Sequence, residues 1–366
     1  MKKLLTELSQ EEPGNRQHFS VVQRNKKHFF IKERKMRKHA FYLVLVFIVA
    51  GMVLSGCQRD RDQTVVLRLG GIQSAEDLAT QAKERMARTV AERSGGTMEI
   101  MVFPASQLGS ATSQIEAVSI GAQDMFVDAS GFVGTFLRDR QIDGMFFLFR
   151  DAEHFSAFMA SPLNQAMEEE FRNLMGIRLI SHNWFRAPRS FVSREPFDFD
   201  SFQGKRVRVP DIRGYLESVA AMGGRPTQIA WGEVYLALSQ GVVDAAEGPA
   251  DALYSMRFFE AARNVTVTNH LRDSLQVMIN DRTWSRLSQE HQRILVEAAN
   301  EAGDWYTAQV NATIEAAFNA MRAGGATVRE IDLAPFREGV ARRIQEIEAE
   351  GTIWRGGLYQ EIQNIM

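Results

Sequence analysis

Residues 288–321 read SQEHQRILVEAANEAGDWYTAQVNATIEAAFNAM. Within them Ile294, Ala298, Ala302, Trp305, Val310, Ile314, Phe318 and Met321 recur at helical spacing and form one apolar stripe. Gly324-Gly325 stops it. About 35 residues at 1.5 Å each make a rod of roughly 50 Å. That is longer than a lobe of about 130 residues is wide. A helix of this length is expected to run along two lobes. The whole chain has 366 residues, which also suggests two domains at roughly 100–200 residues each.

Upstream of this helix, residues 64–69 run apolar as a buried strand does. Leu78, Ala82, Met86 and Val90 repeat every four residues up to a stop at Ser94-Gly95-Gly96. Met98, Ile100 and Val102 mark a second strand, 110–120 a helix and 124–128 a third strand. Residues 152–175 read as one helix and 177–182 as another strand. Shorter extended runs follow at 191–193 and 205–209, with helices expected near 214–221, 231–240 and 333–350. Strands alternating with helices predict βαβ units, a mostly parallel sheet and an α/β fold.

Net charge is −2, but it is unevenly spread. Residues 1–56 hold 11 Lys/Arg against 4 Asp/Glu, and the remainder holds 32 against 41. An acidic body has no cation excess to displace counterions from phosphate, which disfavours nucleic acid as a partner. The basic leader runs into residues 41–56, FYLVLVFIVAGMVLSG, which carry no charge. A basic segment followed by a short apolar run is the pattern of a secretory signal. It ends Leu54-Ser55-Gly56-Cys57, which resembles a bacterial lipobox whose cysteine takes the lipid. An uncleaved anchor is the other reading, because 16–17 residues is about the lower limit for spanning a bilayer of roughly 30 Å. Either reading places the body in the periplasm, outside the cytoplasm, held to the membrane through Cys57 or the helix. Residues 57–63 would form a short lipid tether. Residues 1–35 read as an unusually long basic segment, or as sequence ahead of a start at Met36. Cys57 is the only cysteine, so an intramolecular disulfide and a cysteine-based zinc or Fe–S site are both excluded.

The usual catalytic signatures are missing. His154, His182, His270 and His291 form no HExxH pair, and neither GxSxG, GxxxxGK[ST] nor GxGxxG occurs. This moves the expectation from an enzyme towards a binding protein, with no cofactor. The site-like features are arginines. In Lys205-Arg206-Val207-Arg208-Val209-Pro210 the valines face one way and the arginines the other, as strand alternation requires. Arginine offers a planar fork that matches a carboxylate with two parallel hydrogen bonds. On spacing alone the segment also reads as a solvated edge strand, and Arg186 and Arg189 also read as surface arginines.

Five stretches, in order, resemble the solute receptors (DctP-type) of TRAP transporters, the tripartite ATP-independent periplasmic systems. They are 95–100 leading to Gln107-Leu108-Gly109, then 145–149, then 204–210, then 233–238 with 241–249, and Ile279-Asn280 with Trp284 and Leu287. The resemblance covers residues 64 to about 322.

It implies a two-lobed periplasmic-binding-protein-like fold of the type II kind, two α/β lobes joined by crossing strands and a long lobe-spanning helix. The implied lobes are 64–186 with 274–313, and 187–273 with 314–366. A hinge would close on a small organic acid, and the small and large TRAP membrane subunits would be partners. Arg208 matches the family arginine that forms the main salt bridge to the ligand carboxylate. Arg189 matches a second arginine, on the strand passing between the lobes. Gly248 stands where many members have an Asn that touches the carboxylate, so the ligands of those members do not transfer. Trp231, Phe191, Trp184 and Phe185 are candidates for an aromatic wall, with Gln107 and Arg186 as further ligand contacts. Glu233 is expected to cap its helix or to meet Arg208. The remaining alternatives are a receptor of another importer or of a sensory system, and a lipid-anchored enzyme.

Overall fold

Leu67 and Leu69 point inward along Val65–Gly70, and this alternation makes the segment strand β1. The computed structural model describes residues Thr64–Met366; the leader, the tether and Cys57 lie outside the described residues. From β1 the chain continues through β2 (Met98–Phe103), β3 (Met125–Ala129), β4 (Ile177–Leu179) and β5 (Trp184–Phe185). It then leaves for a second sheet, with β6 (Arg189–Ser193), β7 (Arg206–Val209), β8 (Arg225–Gln228), β9 (Ala245–Pro249) and β10 (Asn264–Val267). It returns for β11 (Ser274–Asn280) and ends its strands with β12 (Thr327–Glu330). The first sheet has the order β2-β1-β3-β11-β4, with β5 on β11, and the second has β12-β10-β6-β9-β7-β8.

The α/β architecture with two sheets agrees with the sequence pattern. The sheets are mixed, however, and not mostly parallel. Strand β11 runs antiparallel to β3, β4 and β5, and β6 runs antiparallel to β9 and β10. Both strands are entered from the opposite sheet, so no right-handed βαβ crossover fixes their direction. The expected helix over 152–175 is two helices, Ala152–Ala160 and Pro162–Met175. The Ser161 side chain accepts from the backbone N–H of Asn164, and Pro162 sits where a helix needs no N–H.

The long helix spans Gln289–Ala323, 35 residues, capped by Ser288. Ile294 to Val310 pack into a cluster on one face of the first sheet, while Ala317, Phe318 and Met321 join a larger cluster that runs from the other face of that sheet into the second. The chain therefore passes between the two sheets three times: at residues 186–188, at 268–273 and along this helix. Among the described residues no helix is long and apolar enough to cross a membrane.

Candidate functional site

Strand β7 delivers the central side chain. Arg206, at its outer end, is exposed and paired with Asp244, with Nη2 2.6 Å from Oδ1. Two residues on, Arg208 is buried. Its Nε donates to the carbonyl of Ile229 at 2.9 Å, and its guanidinium lies 5.2 Å from the centre of the Trp231 ring. Among the described residues, Glu247 is the only carboxylate within reach of Arg208, with Oε1 4.0 Å from Nη1. That is an ion pair without a hydrogen bond. Burial pulls the guanidinium down to about 10, so it stays charged at neutral pH.

The other two arginines are committed. Arg189 opens β6 and forks onto Glu247 of the neighbouring β9; Nε meets Oε2 and Nη2 donates to Oε1 at 2.9 Å. Pro188 lies just ahead of β6, so it removes no ladder bond. Arg186 donates from Nη1 to Asp273 Oδ2 at 3.2 Å, and Asp273 also lies 3.6 Å from Arg189 Nη1. Burial works against the Arg189 charge, but Glu247, the partner it forks onto, raises its pKa above the usual range.

These groups line the gap between the two sheets. A cleft of about 310 Å³ is bounded by Ile72, Ser106, Ser110, Thr112 and Phe132 on one side. Arg208, Pro210, Asp211, Gln228 and Trp231 bound it on the other. Behind it a recess of about 20 Å³ is lined by Gln73, Asp128, Arg186, Arg189, Arg208, Tyr215 and Trp231 among others. Arg208 and Trp231 border both spaces. The arrangement presents a cationic fork, with both terminal nitrogens free of carboxylate hydrogen bonds, to a space bounded by residues beside both sheets.

Of the residues singled out in the sequence, Arg208, Arg189, Arg186 and Trp231 come together here. Phe191 does not reach the lining; its ring packs against His270 at 4.6 Å and Phe146 at 6.4 Å, behind the site. Trp184 is core, with Nε1 donating to the carbonyl of Ala299 and its ring beside Tyr306. Gln107 and Glu233 are exposed and outside the lining, and the neighbour Ser106 takes the place expected of Gln107. Glu233 makes no side-chain cap and does not meet Arg208. Gly248 lies opposite Ser190 in the ladder. A Cβ there would approach Trp231 Cη2 at 3.1 Å and Leu253 Cδ2 at 3.0 Å, so the indole occupies the room a longer side chain would need.

Sequence reasoning missed Asp273, Asp128, Gln73 and Lys83. Lys83 had left a signal, since a lysine stands in the buried stripe of the helix Leu78–Arg93. Asp128 had left another, as an acid near the end of an apolar strand.

Over residues 69–350 the chain matches the family described as bacterial extracellular solute-binding protein, family 7, DctP. It is 25% identical over 284 residues to the sialic acid-binding periplasmic protein SiaP of Vibrio cholerae, covering 77% of this chain and 88% of that one. A TRAP periplasmic solute-binding protein from Pseudomonas putida F1, solved with bound D-glucuronate, superposes with a TM-score of 0.76 and 25% identity, covering 82% of this chain and 98% of that one. One from Actinobacillus succinogenes 130z, solved with bound L-galactonate, gives a TM-score of 0.77 and 25% identity over the same shares. The relatives are solute-binding proteins of transporters and not enzymes. The chain belongs to family 7 of the bacterial extracellular solute-binding proteins, the DctP-type periplasmic solute receptors of TRAP transporters.

Proposed function

We propose that this receptor captures a small organic acid between its two lobes and delivers it to the TRAP membrane subunits. Arg208 forms the main salt bridge to the ligand carboxylate. The observation that carries this reading is the state of the three arginines: Arg186 and Arg189 are bound to Asp273 and Glu247, while Arg208 keeps its terminal nitrogens free at the cleft. A hydrogen bond to a charged group contributes roughly 1.5–3 kcal/mol net, and a two-pronged contact adds direction as well as strength. Arg189 and Glu247 hold the positive potential in place, and Trp231 lies against the guanidinium as a wall.

The lobes are 64–186 with 274–313 and 187–273 with 314–366. Closure of such a hinge is favoured only to the extent that the ligand touches both lobes. The cleft lining meets that condition, since it draws on loops beside both sheets. The acid ligands of the relatives, a sialic acid, a uronate and an aldonate, set the class of compounds to try.

Titration of the protein with sialic acid, D-glucuronate, L-galactonate and simpler acids tests the reading. At least one acid binds, and Arg208→Ala weakens it by on the order of 100-fold or more. Equal binding by the variant refutes the assignment. Lipid attachment at Cys57 is part of the same proposal, and mass spectrometry of the protein from native membranes checks it; an unmodified Cys57 refutes it.

A further inference from the structure

The recess behind the cleft, about 20 Å³, has room for one group the size of a water molecule. Besides the terminal nitrogens of Arg208 and the unpartnered indole N–H of Trp231, Asp128 and Arg186 are incompletely used there. Asp128 is buried; Oδ1 accepts from the N–H of Ala129 at 2.7 Å and Oδ2 from Gln73 Nε2 at 3.1 Å. Lys83 Nζ donates to Gln73 Oε1 at 2.7 Å, which turns the Gln73 amide so that its NH₂ faces Asp128. Burial pushes the Asp128 carboxyl up, and Arg186, the Ala129 N–H, Lys83 and Gln73 offset this only in part. Each Asp128 oxygen accepts one hydrogen bond and keeps a lone pair for a further donor. Arg186 spends Nη1 on Asp273, but its buried Nε has no hydrogen-bond partner. An unsatisfied buried donor is costly, so a ligand group that completes it is favoured.

A hydroxyl satisfies both sides: its proton goes to Asp128 and its oxygen accepts from Arg186 Nε–H. A methyl satisfies neither. A carboxylate is too large and cannot donate to Asp128. Arg208 borders both the recess and the cleft, so the group in the recess is carried close to the carboxylate that Arg208 holds. We infer that the ligand is a singly charged 2-hydroxy acid, with its hydroxyl in the recess between Asp128 and Arg186 and its remaining carbons in the cleft. This rests on the assignment of Arg208 above. Ser106, Ser110, Thr112 and Gln228 give the cleft neutral donors and acceptors for further hydroxyls. A second carboxylate finds no further arginine free of a carboxylate partner among those lining the site, and meets the like charge of Asp211 on the cleft wall. Diacids are therefore refused. Uronates in ring form are weak ligands, because the carbon beside their carboxylate bears a ring oxygen that cannot donate.

The test is calorimetric titration at pH 7.5 with D-gluconate, L-galactonate, 2-deoxy-D-gluconate, D-glucarate and D-glucuronate, repeated on Asp128→Asn and Arg208→Ala. The aldonates bind best; the 2-deoxy acid is weaker by at least about 10-fold, because a site built to pair a hydroxyl penalises its loss. The diacid is weaker by at least about 100-fold. Asp128→Asn lowers aldonate affinity and leaves the 2-deoxy acid unchanged, a coupling that a purely structural role does not produce. If Asp128→Asn fails to fold, the comparison of gluconate with its 2-deoxy form on the parent protein decides alone. Equal binding of the 2-deoxy acid or of the diacid overturns the inference, while loss of binding in Arg208→Ala still upholds the receptor site. Failure of every acid to bind overturns both.

Discussion

Glu247 is fully buried and faces Arg189, Arg208 and His270. Burial alone would push its carboxyl up, yet Arg189 and His270 together hold it well below the usual carboxylate range. Removing one partner of such a pair leaves an uncompensated buried charge. Glu247→Gln should cost about 3–5 kcal/mol of stability, read by denaturant unfolding. Adding Arg189→Met should recover part of the loss; strict additivity of the two changes would contradict the pairing. Lys83 offers a pH test. Burial pulls its ammonium down from 10.5 to about 8. Between pH 8 and 10.5 the unfolded chain holds a proton that the folded one has released, so this group's penalty shrinks as pH rises. Stability measured against Lys83→Met should therefore climb across that window, by up to about 1.4 kcal/mol per pH unit. A flat difference would mean that Lys83 is solvated. Arg208 was legible in the sequence because strand alternation and a local motif coincide on it. Its surroundings were not: Arg189 meets Glu247 across 58 residues, and Arg186 meets Asp273 across 87. No local spacing encodes such pairs.

At the scale of the element, the long helix was the most readable part of the chain, because one stripe persists over 35 residues. Its Gly303 was not readable as a contact point. A Cβ there would stand 2.5 Å from Trp184 Cδ1, so the glycine lets the buried indole lie against the helix. Two effects oppose each other in Gly303→Ala. Helix propensity favours alanine by up to about 1 kcal/mol, and overpacking costs roughly 1–3 kcal/mol. The rigid ring cannot swing aside as a flexible side chain would, so packing should win and the melting temperature fall. A rise in melting temperature would show that Trp184 can shift. The same indole explains why Trp184 sits in the core: β5 pairs with β11, and periodicity over two residues cannot tell the cleft side of a strand from the buried side. Strands β6 and β11 were located as extended runs or left unassigned, and their antiparallel direction depends on which sheet the chain has just left, which no short segment reveals.

For the whole molecule, two sheets are joined by three crossings, and on the proposed reading a hinge there closes on the ligand. A ligand that binds only the folded form stabilises it by about 2.7 kcal/mol at 100 times its Kd. For a body of this size that is a rise in melting temperature on the order of 5 °C. Arg208→Ala should abolish the rise for every acid that produces it. The overall architecture could be read from alternating strands and helices and from the length of one helix. The volume and depth of the cleft could not, since they depend on loops such as 104–112 and 228–231 meeting across the gap. The most direct test is a crystal structure of the protein with its acid bound. A carboxylate of the ligand should accept from the terminal nitrogens of Arg208 at about 2.7–2.9 Å, with the ligand touching residues beside both sheets. A ligand whose carboxylate lies elsewhere, with Arg208 still paired only to Glu247, would contradict the account.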